Sequence, residues 1–147
     1  MKVLFVCYGN ICRSPMAEAL LRRAIADRPE LRDLEVASAG VAAIDGNRAT
    51  RLACSAIRDA FGLDMSGHRA RQLDATADAD IVLALDEATL RAARRLAPKT
   101  TPQLLGEYAG TGEEVDDPYG GERAEYDACA RQIDRLVQAV VSRLAAR

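Results

Sequence analysis

Tryptophan is absent from these 147 residues, phenylalanine occurs twice and histidine once. One histidine, His68, leaves too few imidazoles for a histidine-built metal centre. Four cysteines are present, but Cys7 and Cys12 have four residues between them rather than the two of a zinc knuckle, so no metal site is expected. Long apolar runs are also lacking. The hydrophobic stretch near the start, Val3–Tyr8, is six residues long, far short of the roughly 20 that cross a bilayer. No small-residue cleavage site follows it. No membrane insertion and no export signal are therefore expected, which predicts a cytoplasmic protein whose thiols stay reduced unless they are catalytic or redox-sensing. Charge of one sign is not in excess either. Twenty basic and 22 acidic side chains give a net charge of −2, which excludes a general nucleic-acid binder with a basic face. Any anion must be held by local geometry rather than by the field of the whole molecule.

The length suits a single domain over residues 1–147, with enough apolar sequence to close a core unaided. No repeat, low-complexity tract or linker interrupts it. Val3–Cys7 reads as a buried strand, apolar without alternation. Pro15 suits the first position of a helix, and Ala17, Leu20, Leu21, Ala24 and Ile25 form one apolar face of it. Leu34–Ala37 is a second short strand. Ala49, Leu52, Ala53, Ala56 and Ile57 mark a second helix, stopped by Gly62. Ile81–Leu85 is a third strand, followed by a helix that Asp86 caps and Pro98 closes. Gln103–Leu105 is a short last strand. Tyr126, Cys129, Ala130, Ile133, Val137, Val140, Val141 and Leu144 give a long final amphipathic helix. Strands alternating with helices predict an α/β fold with a parallel sheet covered on both faces. Ligands in such sheets sit beyond the carboxyl ends of the strands.

At the end of the first strand lies Cys7-Tyr8-Gly9-Asn10-Ile11-Cys12-Arg13-Ser14-Pro15. Gly9 and Asn10 are the residues that best tolerate left-handed backbone angles. Such a loop turns successive N–H groups inward, and the following helix adds its positive end. Arg13 supplies a planar fork that matches two phosphate oxygens. Helix N-termini and guanidinium groups favour thiolates, and Ser14, placed at the helix cap, donates a further hydrogen bond. Cys7 is thus expected to be a nucleophile suited to a phosphate ester. The bare Cys-x5-Arg spacing recurs at Cys129 and Arg135. There it has no glycine and falls within the final helix, where it reads as a core cysteine beside a surface arginine. Ester cleavage also needs a proton for the leaving oxygen. The turn-rich stretch Val115-Asp116-Asp117-Pro118-Tyr119-Gly120-Gly121 supplies the candidate, Asp117, with Tyr119 as an aromatic wall.

Val6–Pro15 together with Asp117-Pro118-Tyr119-Gly120 closely resembles the low-molecular-weight protein tyrosine phosphatases. The likeness continues through Ser38-Ala39-Gly40, Ser66-Gly67-His68-Arg69-Ala70-Arg71-Gln72-Leu73 and Leu104-Leu105-Gly106-Glu107-Tyr108. It implies a four-stranded parallel sheet flanked by helices on both faces, and hydrolysis of phosphotyrosine without metal or other cofactor. Cys7 would form a phosphocysteine. Arg13 and the loop spanning Tyr8, Gly9, Asn10, Ile11, Cys12 and Ser14 would hold the phosphoryl group, and Asp117 would act as general acid and base. Asn10, Ser14, Ser38 and His68 match positions that brace the loop. Cys12 matches the neighbour that traps an oxidised Cys7 as a reversible disulfide. The resemblance implies a monomer or weak dimer.

Many members carry an aromatic residue shortly after Ser-Ala-Gly. This chain has Ile44 there, so the substrate cleft is read as Tyr8, Ile11, Ile44 and Tyr119. That pattern is more similar to the bacterial branch that acts on tyrosine autokinases of exopolysaccharide export. Its partner is a tyrosine-phosphorylated protein, a tyrosine autokinase among the candidates. Three alternatives compete. Protein arginine phosphatases share the cradle but tend to carry threonine where Ile11 stands, and an apolar β-branched residue there favours a flat ring. A thiol-linked arsenate reductase needs two shuttle cysteines, and residues 76–97 contain none. A phosphotyrosine-binding module needs no nucleophile.

Overall fold

A computed structural model describes residues 1–147. The sheet strands are β1 (Lys2–Cys7), β2 (Glu35–Gly40), β3 (Ile81–Ala84) and β4 (Pro102–Leu104). The helices are α1 (Arg13–Ala26), α2 (Arg51–Phe61), α3 (Glu87–Leu96), α4 (Leu105–Tyr108) and α5 (Arg123–Ala145), with a 3₁₀ turn at Pro29–Leu31. All pairings are parallel, in the order β2-β1-β3-β4. This is the doubly covered α/β sheet expected from the alternation of patterns.

β1 is central, and its residues divide by face. Val3, Phe5 and Cys7 join the large core with α1, α2 and α5, while Leu4 and Val6 join a smaller core that includes Ala93 of α3. That is why the strand shows a continuous apolar run instead of alternation. Burying each large apolar side chain contributes about 1.5–3 kcal/mol, so both layers hold β1 in register. The register brings Cys7 opposite Gly40 and Val6 opposite Ala84. The carboxyl ends of β1, β2 and β3 therefore meet at one edge of the sheet.

Helix ends follow local chemistry. Thr50 caps α2 by accepting the Ala53 N–H at 3.3 Å, and Gly62 ends it at φ 69°. Asp86 caps α3 by accepting the Thr89 N–H at 2.8 Å. The start of α1 differs from expectation. Its N-cap is Cys12, whose carbonyl accepts the Met16 N–H at 3.3 Å, so Ser14 and Pro15 are already inside the first turn. β2 begins one residue later than expected and runs on through Ser38-Ala39-Gly40, small residues that β1 recruits by pairing rather than by propensity. Leu85 lies just beyond β3. β4 starts at Pro102, tolerated because it opens an edge strand, and Leu105 begins α4 instead of ending β4.

Candidate active site

The loop from Cys7 to Arg13 leaves β1 and enters α1. Only Asn10 in it adopts a positive φ, 56°; Gly9, expected to share that conformation, does not. Four hydrogen bonds hold Asn10. Its Nδ2 donates to Ser14 Oγ at 2.8 Å and to Ser38 Oγ at 2.9 Å. Its Oδ1 accepts the Arg71 N–H at 2.9 Å, and its carbonyl accepts from His68 Nε2 at 2.7 Å. Asn10 is fully buried, so these bonds satisfy the amide where water cannot. Ser38 in turn donates to Glu18 at 2.6 Å. Gly40 makes the close approach possible, because a Cβ there would lie 2.7 Å from the Tyr8 carbonyl oxygen.

Cys7 is buried, and its sulfur lies 2.9 Å from Ser14 Oγ. Arg13 is 2% exposed. Its Nη1 donates to Asp86 Oδ2 at 2.6 Å and to the Val115 carbonyl at 2.7 Å. Nη2 stands 3.6 Å from Asp117 Oδ2, so Nη2 and Nε keep donors free for a ligand. Burial works against the guanidinium charge, but the Asp86 hydrogen bond and the surrounding negative groups outweigh it and Arg13 holds its proton more firmly than usual. Burial likewise pushes the Asp86 carboxyl up. The Arg13 and Thr89 hydrogen bonds outweigh it and hold Asp86 below the ordinary carboxylate range.

Cys7, Arg13 and Asp117 line one pocket of about 340 Å³, together with Tyr8, Gly9, Ile11, Cys12, Ile44 and Tyr119. Three of the four large hydrophobic residues exposed on this protein, Tyr8, Ile44 and Tyr119, stand around it. Asp117 Oδ1 accepts the Tyr119 N–H at 3.1 Å, a local turn that aims the other oxygen at Arg13. The bracing residues Asn10, Ser14, Ser38 and His68 lie behind the loop as one network. The second cysteine–arginine match does not form a cradle. Cys129 is buried in α5 with its thiol pushed up to about 12 by burial, and Arg135 pairs with Glu113 on the surface.

The whole chain from residue 2 to 147 matches the family model described as low molecular weight phosphotyrosine protein phosphatase. The chain belongs to this family. Among its relatives is a probable low molecular weight protein-tyrosine-phosphatase, EpsP, of Ralstonia solanacearum. It is 37% identical over 148 residues, covering 98% of this chain and 96% of that one. The crystal structure of a low molecular weight protein tyrosine phosphatase from T. tengcongensis superposes with a TM-score of 0.87 at 34% identity, over 97% of this chain and 99% of that one. The YwlE arginine phosphatase from Geobacillus stearothermophilus has a TM-score of 0.86 at 32% identity, over 99% and 93%.

Four contacts at the site lie outside the sequence expectations. Capping accounts for one oxygen of Asp86, and the second clamps Arg13; its place directly after a strand, at the same sheet edge as the cradle, is the available signal. Thr50 and Tyr126 place hydroxyls 3.5 Å and 3.6 Å from Cys12 Sγ, and no local pattern announces that meeting. Glu18 lies behind Ser38, one turn into α1.

Proposed function

We propose that this phosphatase hydrolyses phosphotyrosine on proteins through a phosphocysteine intermediate. The observation that carries the reading is the convergence of Cys7, Arg13 and Asp117 on one pocket with an apolar, partly aromatic mouth. In the first step the Cys7 sulfur attacks phosphorus, the P–O bond to the tyrosine ring breaks, and Asp117 gives its proton to the departing oxygen. The free Nε and Nη2 donors of Arg13, with the loop N–H groups, hold the phosphoryl oxygens as charge builds on them. In the second step water attacks phosphorus, the Asp117 carboxylate takes its proton, and the sulfur leaves as thiolate. Ser14 accepts from Asn10, and its one proton serves that sulfur, 2.9 Å away, by turning from the Ala39 carbonyl at 3.4 Å. Cys12 is the redox partner that captures oxidised Cys7. The substrate is a tyrosine-phosphorylated protein, with a bacterial tyrosine autokinase of exopolysaccharide export as the favoured candidate, met in the cytoplasm by a monomer or weak dimer.

The structural likeness to arginine phosphatases keeps one second reading in view. Ile11 favours the tyrosine substrate, because its branched apolar side chain in the pocket suits a flat ring better than a charged guanidinium. A side-by-side assay on phosphotyrosine, phosphoarginine and phosphoserine peptides and on arsenate, with chelator present, tests this. The expected result is turnover of phosphotyrosine ahead of the others, undiminished by chelator. Cys7→Ser is expected to abolish turnover while still binding phosphate; full activity in that variant removes Cys7 as nucleophile.

A further inference from the structure

Ile44 stands at the mouth of the pocket, 68% exposed, on a loop with no regular structure of its own. An apolar side chain held there needs a backbone fixed from outside. β2 ends at Gly40, and the neighbouring segment 70–73 pairs with it through a single parallel bridge between Gly40 and Gln72. Gly40 N–H donates to the Arg71 carbonyl at 2.9 Å, and Leu73 N–H donates to the Gly40 carbonyl at 2.8 Å. Backbone pairing between the two segments resumes only beyond Ile44, where Gly46 N–H donates to the Ala70 carbonyl at 2.9 Å and Ala70 N–H to the Asn47 carbonyl at 2.7 Å. The Gln72 side chain bridges the gap between. Its Oε1 accepts the Ala43 N–H at 2.8 Å, and its Nε2 donates to the Val41 carbonyl at 3.0 Å. A carboxamide carries the same donor and acceptor as a peptide unit, so Gln72 extends the ladder by one pairing that the backbone does not supply. Its own N–H donates to Asp45 Oδ1 at 2.8 Å, just beyond Ile44.

We infer that Gln72 is a positioning residue for substrate discrimination: its side-chain amide sets where Ile44 stands, and so shapes the wall that meets the aryl ring of the phosphate ester. This rests on the phosphotyrosine reading above. Gln72 touches neither Cys7 nor Arg13, so its contribution falls on binding of the ring rather than on transfer of the phosphoryl group. The adjacent Arg71 N–H holds Asn10, so the test must separate the wall from the phosphate loop.

The experiment compares the wild-type enzyme with Gln72→Ala, Ile44→Ala and the double variant, on a phosphotyrosine peptide and with orthovanadate as inhibitor. Losing the two loop bonds is expected to raise KM about tenfold, since a pair of hydrogen bonds carries on the order of 1.4 kcal/mol. kcat and the vanadate inhibition constant should stay within about twofold, because the phosphoryl contacts are intact. Ile44→Ala alone should raise KM, and in its background Gln72→Ala should add little, as expected of two residues acting through one wall. The inference is overturned if the KM rise persists in the Ile44→Ala background, if kcat falls with KM unchanged, if vanadate inhibition weakens in step, or if Ile44→Ala leaves KM unaltered. Should Gln72→Ala fail to fold, Gln72→Glu serves. It keeps the acceptor for Ala43 and loses the donor to Val41, so a smaller KM rise is expected and an unaltered KM refutes the inference. Failure of the phosphotyrosine reading shows separately, as absence of wild-type turnover on the peptide.

Discussion

At the scale of single residues, the site depends on charges and thiols whose surroundings assign them different tasks. Asp86 is the clearest case. It serves α3 with one oxygen and Arg13 with the other, and the second duty makes removal of its charge costly. Asn at an N-cap works as well as Asp, so Asp86→Asn leaves the helix capped but deprives a buried arginine of its ion partner. Destabilisation of about 2–4 kcal/mol is expected, with at least a tenfold fall in kcat/KM, measured by urea unfolding and initial rates. The sign with pH follows from the lowered carboxyl. A group held below its unfolded value contributes stability above that value, about 3.9 for Asp, and loses it as pH falls through the folded one. The wild-type protein should therefore lose stability on acidification below about pH 4 more steeply than Asp86→Asn. Parallel acid limbs would remove Asp86 from that role. Cys12 differs in kind. Burial pushes its thiol up, against the opposing pull of the Thr50 and Tyr126 hydroxyls, so it does not compete with Cys7 for the phosphate ester and must give up its proton as it attacks an oxidised Cys7. Peroxide should inactivate the enzyme reversibly, with thiol restoring it through a Cys7–Cys12 disulfide, whereas Cys12→Ser should proceed to irreversible oxidation. Mass spectrometry that finds only sulfonic acid on wild-type Cys7 would contradict this.

At the scale of elements, what the site requires is close approach of two strand ends. β2 must end within contact of the loop leaving β1, and Gly40 permits it. A Cβ there would lie 2.7 Å from the Tyr8 carbonyl oxygen, 2.9 Å from the Asn10 nitrogen and 3.0 Å from the Ala43 Cβ. Two of these are backbone atoms that cannot rotate away. Gly40→Ala should therefore displace the phosphate loop, at about 1–3 kcal/mol of overpacking. The expected signature is a protein that still melts cooperatively but binds vanadate at least tenfold more weakly, about 1.4 kcal/mol or more. Unaltered vanadate affinity would show that the loop does not depend on this contact. The same elements show what the sequence could reveal. β1 and its cradle were legible because a continuous apolar run, an Asn that tolerates positive φ and a Pro within the first helical turn agree on one strand–loop–helix path, although Gly9 is not left-handed and the cap falls on Cys12 rather than Ser14. β2 was legible only in part. Ser38-Ala39-Gly40 has no strand-forming chemistry and is extended because β1 pairs with it. Asp86 was half legible, since capping α3 already explained an aspartate there. The meeting of Gln72 with Val41 and Ala43 spans about thirty residues of chain, and no periodicity records a contact of that range.

At the scale of the whole molecule, the enzyme binds an anion while carrying a net charge of −2. Seven of the eighteen arginines are matched by a carboxylate. Arg22 pairs with Glu18, Arg123 with Asp59 and Asp127, and Arg135 with Glu113. Even Arg13, in the pocket, is matched by Asp86 and faced by Asp117. Beyond about 8–10 Å, salt would screen whatever field remained, so steering can contribute little to substrate capture. In the proposed mechanism the phosphoryl group is held at short range, by donors on Arg13, the end of α1 and a loop locked by Asn10. Short-range hydrogen bonds inside a concave site are far less sensitive to ionic strength than a long-range field. kcat/KM for a phosphotyrosine peptide should accordingly change by less than about threefold between roughly 0.05 and 0.5 M sodium chloride. Phosphate and sulfate, which fit the same donors, should instead inhibit competitively over that range. A loss of tenfold or more with chloride would mean that a distributed positive field captures the substrate.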